Sequence, residues 1–312
     1  MRVLLAIDGS DSANRARDLV AGIAWPTGTI IRVVAALEVG PELAGLPWLA
    51  ATPSNASEVE ASLIRRLNDA LETAIRDIGR PGLAVERLLL RGRPASAIVD
   101  EAREWGADLI AVGHRGLGTI ETMLLGSVSA EVVDHAPCPV LVARRPEVRS
   151  VIFATDGSTC AGHAEEVLTA WPMFADLPVT VVSVADTALP WSVGMAPGLY
   201  DRVVESYTED VDEARREGKG IADAAAVRLI EHGLIAVAEV HEGDPAATIV
   251  ATAIAKGTDL VVIGTRGHTG LARLLLGSVA RNVLVHAPSS VLVVREKARV
   301  AHIEPEKVAT TA

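Results

Sequence analysis

The sequence predicts an α/β protein built from two tandem copies of one parallel-sheet domain. Three observations carry this. The chain has 312 residues, about twice a typical domain of ~150, so each half can bury its own core. Short β-rich runs alternate with longer helical patterns along it, which is how a parallel sheet with crossover helices reads. Most specific is a direct repeat: Ala107-Asp108-Leu109-Ile110-Ala111-Val112-Gly113 returns as Thr258-Asp259-Leu260-Val261-Val262-Ile263-Gly264, an offset of 151. Arg91-Gly92-Arg93-Pro94-Ala95 matches Glu242-Gly243-Asp244-Pro245-Ala246, and His135-Ala136-Pro137 matches His286-Ala287-Pro288, at the same offset. The N-terminal parts, Ala6-Ile7-Asp8-Gly9-Ser10 and Ala154-Thr155-Asp156-Gly157-Ser158, align at 148. A difference of three residues therefore falls inside the repeat, where helices and loops tolerate it. The seam lies near Arg145-Pro146-Glu147, giving domains 1–145 and 146–297; residues 298–312 show no period and are expected to be a mobile tail.

Within the first repeat, strand one is Arg2 to Ile7. A helix follows over Asp11 to Ile23, with Ser10 or Asp11 placed to cap it and Trp25-Pro26 closing it. Strand two is Ile30 to Leu37, and after a Gly/Pro-rich loop Glu58 to Ile78 has apolar residues at helical spacing, ended by Gly79 to Gly82. Strand three is Ala84 to Leu90, and Pro94, suited to a first helical turn, opens a helix to Trp105. Strand four is Asp108 to Val112, the last helix Ser127 to His135, and the final strand Val140 to Val142. The second repeat gives the same elements, from Val151-Ile152-Phe153 to Val291-Leu292-Val293-Val294.

Composition excludes several classes. Hydrophobic residues make up 49%, but every apolar run is cut within about ten residues, short of the ~20 of a bilayer span, so no membrane is expected. Strands covered on both faces explain the apolarity instead. After Met1-Arg2, Asp8 interrupts the apolar run Val3 to Ile7 too soon for a signal peptide, which predicts a cytoplasmic protein. Net charge is −11, with 40 Asp+Glu against 29 Lys+Arg, a sign that repels phosphate backbones, and aromatics at 3% leave few stacking platforms; nucleic acid is not expected as a partner. The two cysteines, Cys138 and Cys160, have neither disulfide-framework nor zinc spacing, and Cys138 reads as a small buried residue beside a strand.

The chemistry follows strand four. Gly113-His114-Arg115-Gly116, then nine residues, then Gly126-Ser127 is repeated as Gly264-Thr265-Arg266-Gly267, nine residues, Gly277-Ser278. Such a loop leaves the carboxyl end of a strand, where open α/β sheets bind ligands, and glycine lets backbone N–H groups approach an anion. The third glycine and its serine stand at a helix start, whose N–H groups and dipole attract phosphate. Arg115 and Arg266 are candidates to pair with phosphate oxygens. A single copy would be explained equally well by turn glycines; duplication at identical spacing favours binding. Asp8 and Ala36 are 28 residues apart, as are Asp156 and Val184. Both aspartates end strand one, where a carboxylate accepts hydrogen bonds from a ribose or adenine, or else caps the next helix.

On these motifs, which cover nearly the whole chain, the sequence resembles the universal stress protein family in its tandem two-domain form. The resemblance implies two adenine-nucleotide α-hydrolase-like domains, each a five-stranded parallel sheet of order 3-2-1-4-5 with helices on both faces. It implies ATP as ligand where Gly-x2-Gly-x9-Gly-Ser/Thr is kept, with Mg²⁺ as an optional companion. By position, the adenine and ribose fall on Ala6, Ile7, Asp8 and Ala36, and on Ala154, Thr155, Asp156 and Val184. The phosphates fall on Gly113, Arg115, Gly116, Gly126, Ser127, Val128 and Ser129, and on Gly264, Arg266, Gly267, Gly277, Ser278, Val279 and Ala280. Ala280 replaces the hydroxyl of Ser129, which predicts one phosphate donor fewer and weaker binding in the second site.

Gly116-Leu117-Gly118-Thr119-Ile120-Glu121 lacks the third glycine of a dinucleotide fingerprint and follows the wrong strand, and Glu217-Gly218-Lys219-Gly220 is no phosphate loop but a solvated helix segment. His135 and His286 are expected to cap helix carbonyls. No catalytic residues are assigned. The favoured function is a regulatory nucleotide-binding protein of the stress response, read by an unidentified protein partner. The alternative is a slow ATPase or nucleotidyl-transfer enzyme, for which Asp8 and Asp156 are the duplicated candidates. The short apolar strands Val140 to Val142 and Val291 to Val294 are expected to pair with one another in a pseudo-twofold chain, with a further homodimer left open.

Overall fold

A computed structural model describes residues 1–38, 53–116, 125–186, 197–265, 267 and 276–295, with the backbone path alone for 53–57 and 197–208. The expected mobile tail and Arg266 lie outside the described residues.

The first half runs β1 (Arg2–Ala6), α1 (Asp11–Gly22), β2 (Ile30–Leu37), α2 (Pro53–Ile78), β3 (Ala84–Arg91), α3 (Pro94–Trp105), β4 (Leu109–Gly113), α4 (Ser127–His135) and β5 (Val140–Ala143). The second runs β6 (Val151–Ala154), α5 (Thr159–Ala170), β7 (Pro178–Ala185), α6 (Pro197–Glu231), β8 (Ile235–Glu242), α7 (Pro245–Lys256), β9 (Leu260–Gly264), α8 (Ser278–His286) and β10 (Ser290–Val294).

Local chemistry sets these boundaries. Ser10, not Asp11, caps α1: its side chain accepts the Ala13 N–H at 3.2 Å, and Ser158 does the same for Ala161 at 3.4 Å. The turns before these helices need a left-handed residue, supplied by Gly9 (φ 81°) and Gly157 (φ 76°). Gly106 (φ 69°) and Gly257 (φ 61°) stop α3 and α7 in the same way. Strand β4 begins one residue later than expected because Asp108 stays outside the ladder and accepts the Arg2 N–H at 2.7 Å. Helix α2 begins five residues earlier than its apolar pattern, at Pro53, since a proline-opened first turn requires no buried face.

The ten strands form one sheet in the order β3-β2-β1-β4-β5-β10-β9-β6-β7-β8. Each half therefore has the order 3-2-1-4-5, and the halves are joined by their last strands. These pair antiparallel, Leu141 opposite Leu292 and Val142 opposite Val291, as the two short apolar runs predict. Two cores cover the sheet, both continuous across the seam. Helices α1, α2, α5 and α6 close one face over residues such as Leu5, Leu71, Phe153 and Leu229. Helices α3, α4, α7 and α8 close the other over Leu4, Ile110, Val261 and Val283. Cys138 is buried beside β5, and burial pushes its thiol up to about 12. The Glu217–Gly220 segment lies in α6, with Lys219 exposed and paired to Asp223. Among the described residues no helix is long and apolar enough to cross a membrane.

Candidate functional site

Because β1 and β4 are parallel neighbours, with β2 and β5 flanking them, the chain reverses direction across the sheet between β1 and β4. A crevice opens there at the strands' carboxyl ends. In the first half it is a cleft of about 290 Å³. Its base holds Ala6, Ile7, Asp8 and Ala36; its other wall holds Gly113, Arg115 and Gly116, and the first turn of α4 with Gly126, Ser127, Val128 and Ser129. The second half repeats it as a cleft of about 430 Å³. Ala154, Thr155, Asp156 and Val184 line one side, Gly264 and Gly267 the glycine loop, and Gly277, Ser278, Val279 and Ala280 the start of α8. Every described residue assigned from the motifs lines one of the two clefts.

The glycines are required by close approach. A Cβ on Gly113 would sit 2.6 Å from the Ser12 carbonyl carbon, and one on Gly264 2.7 Å from that of Cys160. A Cβ on Gly116 would sit 2.7 Å from Asp8 Oδ2, so the strand-one carboxylate lies directly against the glycine loop. Asp8 Oδ1 also accepts the Ser10 N–H at 2.9 Å, and Asp156 Oδ1 accepts that of Ser158 at 3.0 Å. The aspartates thus brace the turn into the helix while the serines cap it. Helix α4 is held to the loop by the Gly126 N–H donating to the His114 carbonyl at 2.7 Å. Its first intrahelical bond runs from Ala130 N–H to the Gly126 carbonyl, so the amides of Ser127, Val128 and Ser129 face the cleft end of the helix. Arg115 lines the cleft, and among the described residues its buried Nε has no hydrogen-bond partner.

Ser129 has a task the motif does not convey. Its hydroxyl donates to the Gly113 carbonyl at 2.6 Å, so its one proton clips α4 to β4. The residue facing that place in the second half is the buried Ala280, and what the second half lacks is this clip.

Several lining residues escaped the motif reading. Glu38 and Asp186 line the two clefts at the ends of β2 and β7; both are acidic at the offset of 148, a signal the repeat carried. Pro94 and Ile98 of α3, and Pro245 and Ile249 of α7, complete the apolar walls. Behind the first loop, His114 Nδ1 lies 2.8 Å from Ser12 Oγ. Burial, then the charges of Arg144 and Arg115, push this imidazole down to about 4, so it is neutral near pH 7. Arg144 is itself half-buried, and its guanidinium is lowered to about 10, by desolvation first and Arg115 second. It follows β5 and donates across the seam to the Leu284 carbonyl at the end of α8. Its repeat partner Arg295 donates to the Val133 carbonyl of α4 at 2.7 Å, so the two arginines cap each other's domain. His135 does meet a helix carbonyl, with Nδ1 2.9 Å from that of Glu131.

Comparison with known proteins agrees with this architecture. A universal stress protein from Thermus aquaticus is 41% identical over 143 residues, 46% of this chain and 97% of its own length. The universal stress protein YxiE of Bacillus subtilis is 32% identical over 148 residues, 46% of this chain and 98% of its own. Among solved structures, a universal stress protein from Archaeoglobus fulgidus superposes over 95% of this chain and 98% of its own, with a TM-score of 0.62 at 18% identity. A putative one from Pseudomonas aeruginosa covers 96% of this chain and 95% of its own, with a TM-score of 0.54 at 19% identity; at such identities the likeness concerns the fold. The sequence profile of the universal stress protein family matches twice, over residues 1–144 and 147–295. The chain belongs to the universal stress protein family.

Proposed function

We propose that each half binds one adenine nucleotide, ATP, and that the protein acts as a cytoplasmic regulatory switch whose nucleotide state is read by a protein partner. The observation that carries this is the polarity of the first cleft. One wall offers the start of a helix, a glycine loop and the guanidinium-bearing Arg115, a set of donors for phosphate. The other offers an apolar floor at Ala6 and Ala36 with two carboxylates, Asp8 and Glu38, suited to a base and to sugar hydroxyls. Mg²⁺ would arrive with the phosphates. A regulatory reading is preferred to a catalytic one because Asp8 and Asp156 are already engaged in bracing the turns before α1 and α5.

The test is the nucleotide content of purified, undialysed protein, read by chromatography after denaturation. Two ATP per chain is the expected result. A wild-type chain that carries no nucleotide, and takes up none at millimolar ATP, would refute the reading.

A further inference from the structure

The two clefts share their glycines but not what lies behind them. In the first half the Arg115 N–H donates to Ser12 Oγ at 3.0 Å, and the same Oγ lies 2.8 Å from His114 Nδ1. With His114 neutral, one set of directions satisfies both contacts. Arg115 N–H donates to Ser12 Oγ, and the Ser12 hydroxyl donates to His114 Nδ1. These bonds tie α1 to the glycine loop. They fix the Arg115 peptide with its N–H turned toward α1, leaving the guanidinium as this residue's only donor for the cleft. In the second half the corresponding residues are Cys160 and Thr265. Their contact is a hydroxyl to sulfur at 3.8 Å, a much weaker bond. Ser129, the clip from α4 to Gly113, is matched there by Ala280.

We infer that Ser12 and His114 are positioning residues of the first cleft, holding its glycine loop in the anion-binding geometry. Cys160 and Thr265 leave the second loop softer, so the two clefts differ in nucleotide affinity although their motifs are the same. A loop already fixed loses less freedom when the ligand arrives, so the first cleft is the tighter. This rests on the nucleotide reading above. It also moves the source of the asymmetry from a missing phosphate donor at Ala280 to the bonds behind the loop.

Calorimetric titration of the full chain with ATP tests it. Ser278→Glu places a carboxylate at the second helix start and isolates the first cleft; Ser127→Glu isolates the second. In the Ser278→Glu background, Ser12→Ala with His114→Thr is expected to weaken ATP by about tenfold, the scale of one hydrogen bond. His114→Asn, whose Oδ1 takes the place of Nδ1 as acceptor, should restore most of that affinity beside the native Ser12. Thermal melting of each unliganded variant reports folding. Should the double variant melt early, Ser12→Cys replaces it, because the same fold carries a cysteine at that place in its second half. An affinity within twofold of the parent in folded Ser12→Ala/His114→Thr or Ser12→Cys protein overturns the inference, and so does a second cleft as tight as the first. ATP binding in neither background overturns the nucleotide reading and this inference together.

Discussion

Mild acid should destabilise this protein through His114. The ring sits behind the first glycine loop, facing Arg144, Arg115 and Arg15, and its folded value of about 4 compares with ~6.5 in an unfolded chain. A value lowered on folding means that the unfolded state takes the proton first. The stabilisation is therefore complete above pH 6.5 and is lost as pH falls from there toward 4. Linkage between those two values gives a loss of about 2 kcal/mol from pH 8 to pH 5, and about 3.4 kcal/mol once pH is below both. The ring is partly exposed, which brings the expectation at pH 5 to ~1–2 kcal/mol. Urea unfolding at pH 8 and pH 5, for wild type and for His114→Thr, measures it. Thr is the residue at the matching place in the second half, buried and accepted there. The wild type should lose ~1–2 kcal/mol more than the variant between the two conditions. Equal losses would show that the ring titrates normally and that its burial among three arginines is wrongly described.

Three further outcomes follow from the geometry. Gly113→Ala and Gly264→Ala should each lower stability by about 2 kcal/mol or more in denaturant titrations, since the new methyl meets the backbone of Ser12 or Cys160; unchanged midpoints would contradict this packing. Leu141→Ala, at a position 3% exposed and opposite Leu292 at the seam, should cost about 2–5 kcal/mol. Because both cores cross the seam, its unfolding should remain a single transition; two separated transitions would show independent halves. Arg144→Ala leaves the Leu284 carbonyl without its donor and should cost about 1–3 kcal/mol by calorimetry, while an exposed control such as Arg103→Ala changes little.

The sequence revealed most where a local rule and the repeat coincided. Helices α3 and α4 have the expected bounds because a proline at the first helical position and a Gly-Ser pair mark their starts, and β2 has them because its apolar run is bounded by loops. The glycine loops, the strand-one aspartates, Ala36 and Val184 all reach the clefts because the repeat marks positions whose chemistry is fixed by the backbone path. The residues behind the loops were not legible in the same way. Ser12 and His114 meet across 102 positions of chain, through the crossing of α1 over β4, and neither type is kept in the other half. Spacing conveys which residues face a ligand, whereas these two act by facing the loop's other side.

The reciprocal arginines show what fusion adds that neither repeat contains alone. Arg144 and Arg295 stand at the same offset of 151 as the glycine loops, yet nothing in either half predicts their partners. Those are carbonyls of the opposite domain, brought near only because β5 and β10 pair antiparallel. The antiparallel seam also points the carboxyl ends of the two sets of strands in opposite directions, so the clefts open at opposite ends of one sheet. Helix α8 has nine residues, about 13 Å. It therefore begins at the second cleft with Ser278, and in its last turn the Leu284 carbonyl meets the guanidinium of Arg144. Arg144 in turn lies close enough to Arg115 for their charges to repel. The amino end of α8 thus forms part of the second cleft while its last turn is bonded to an arginine that neighbours Arg115 of the first.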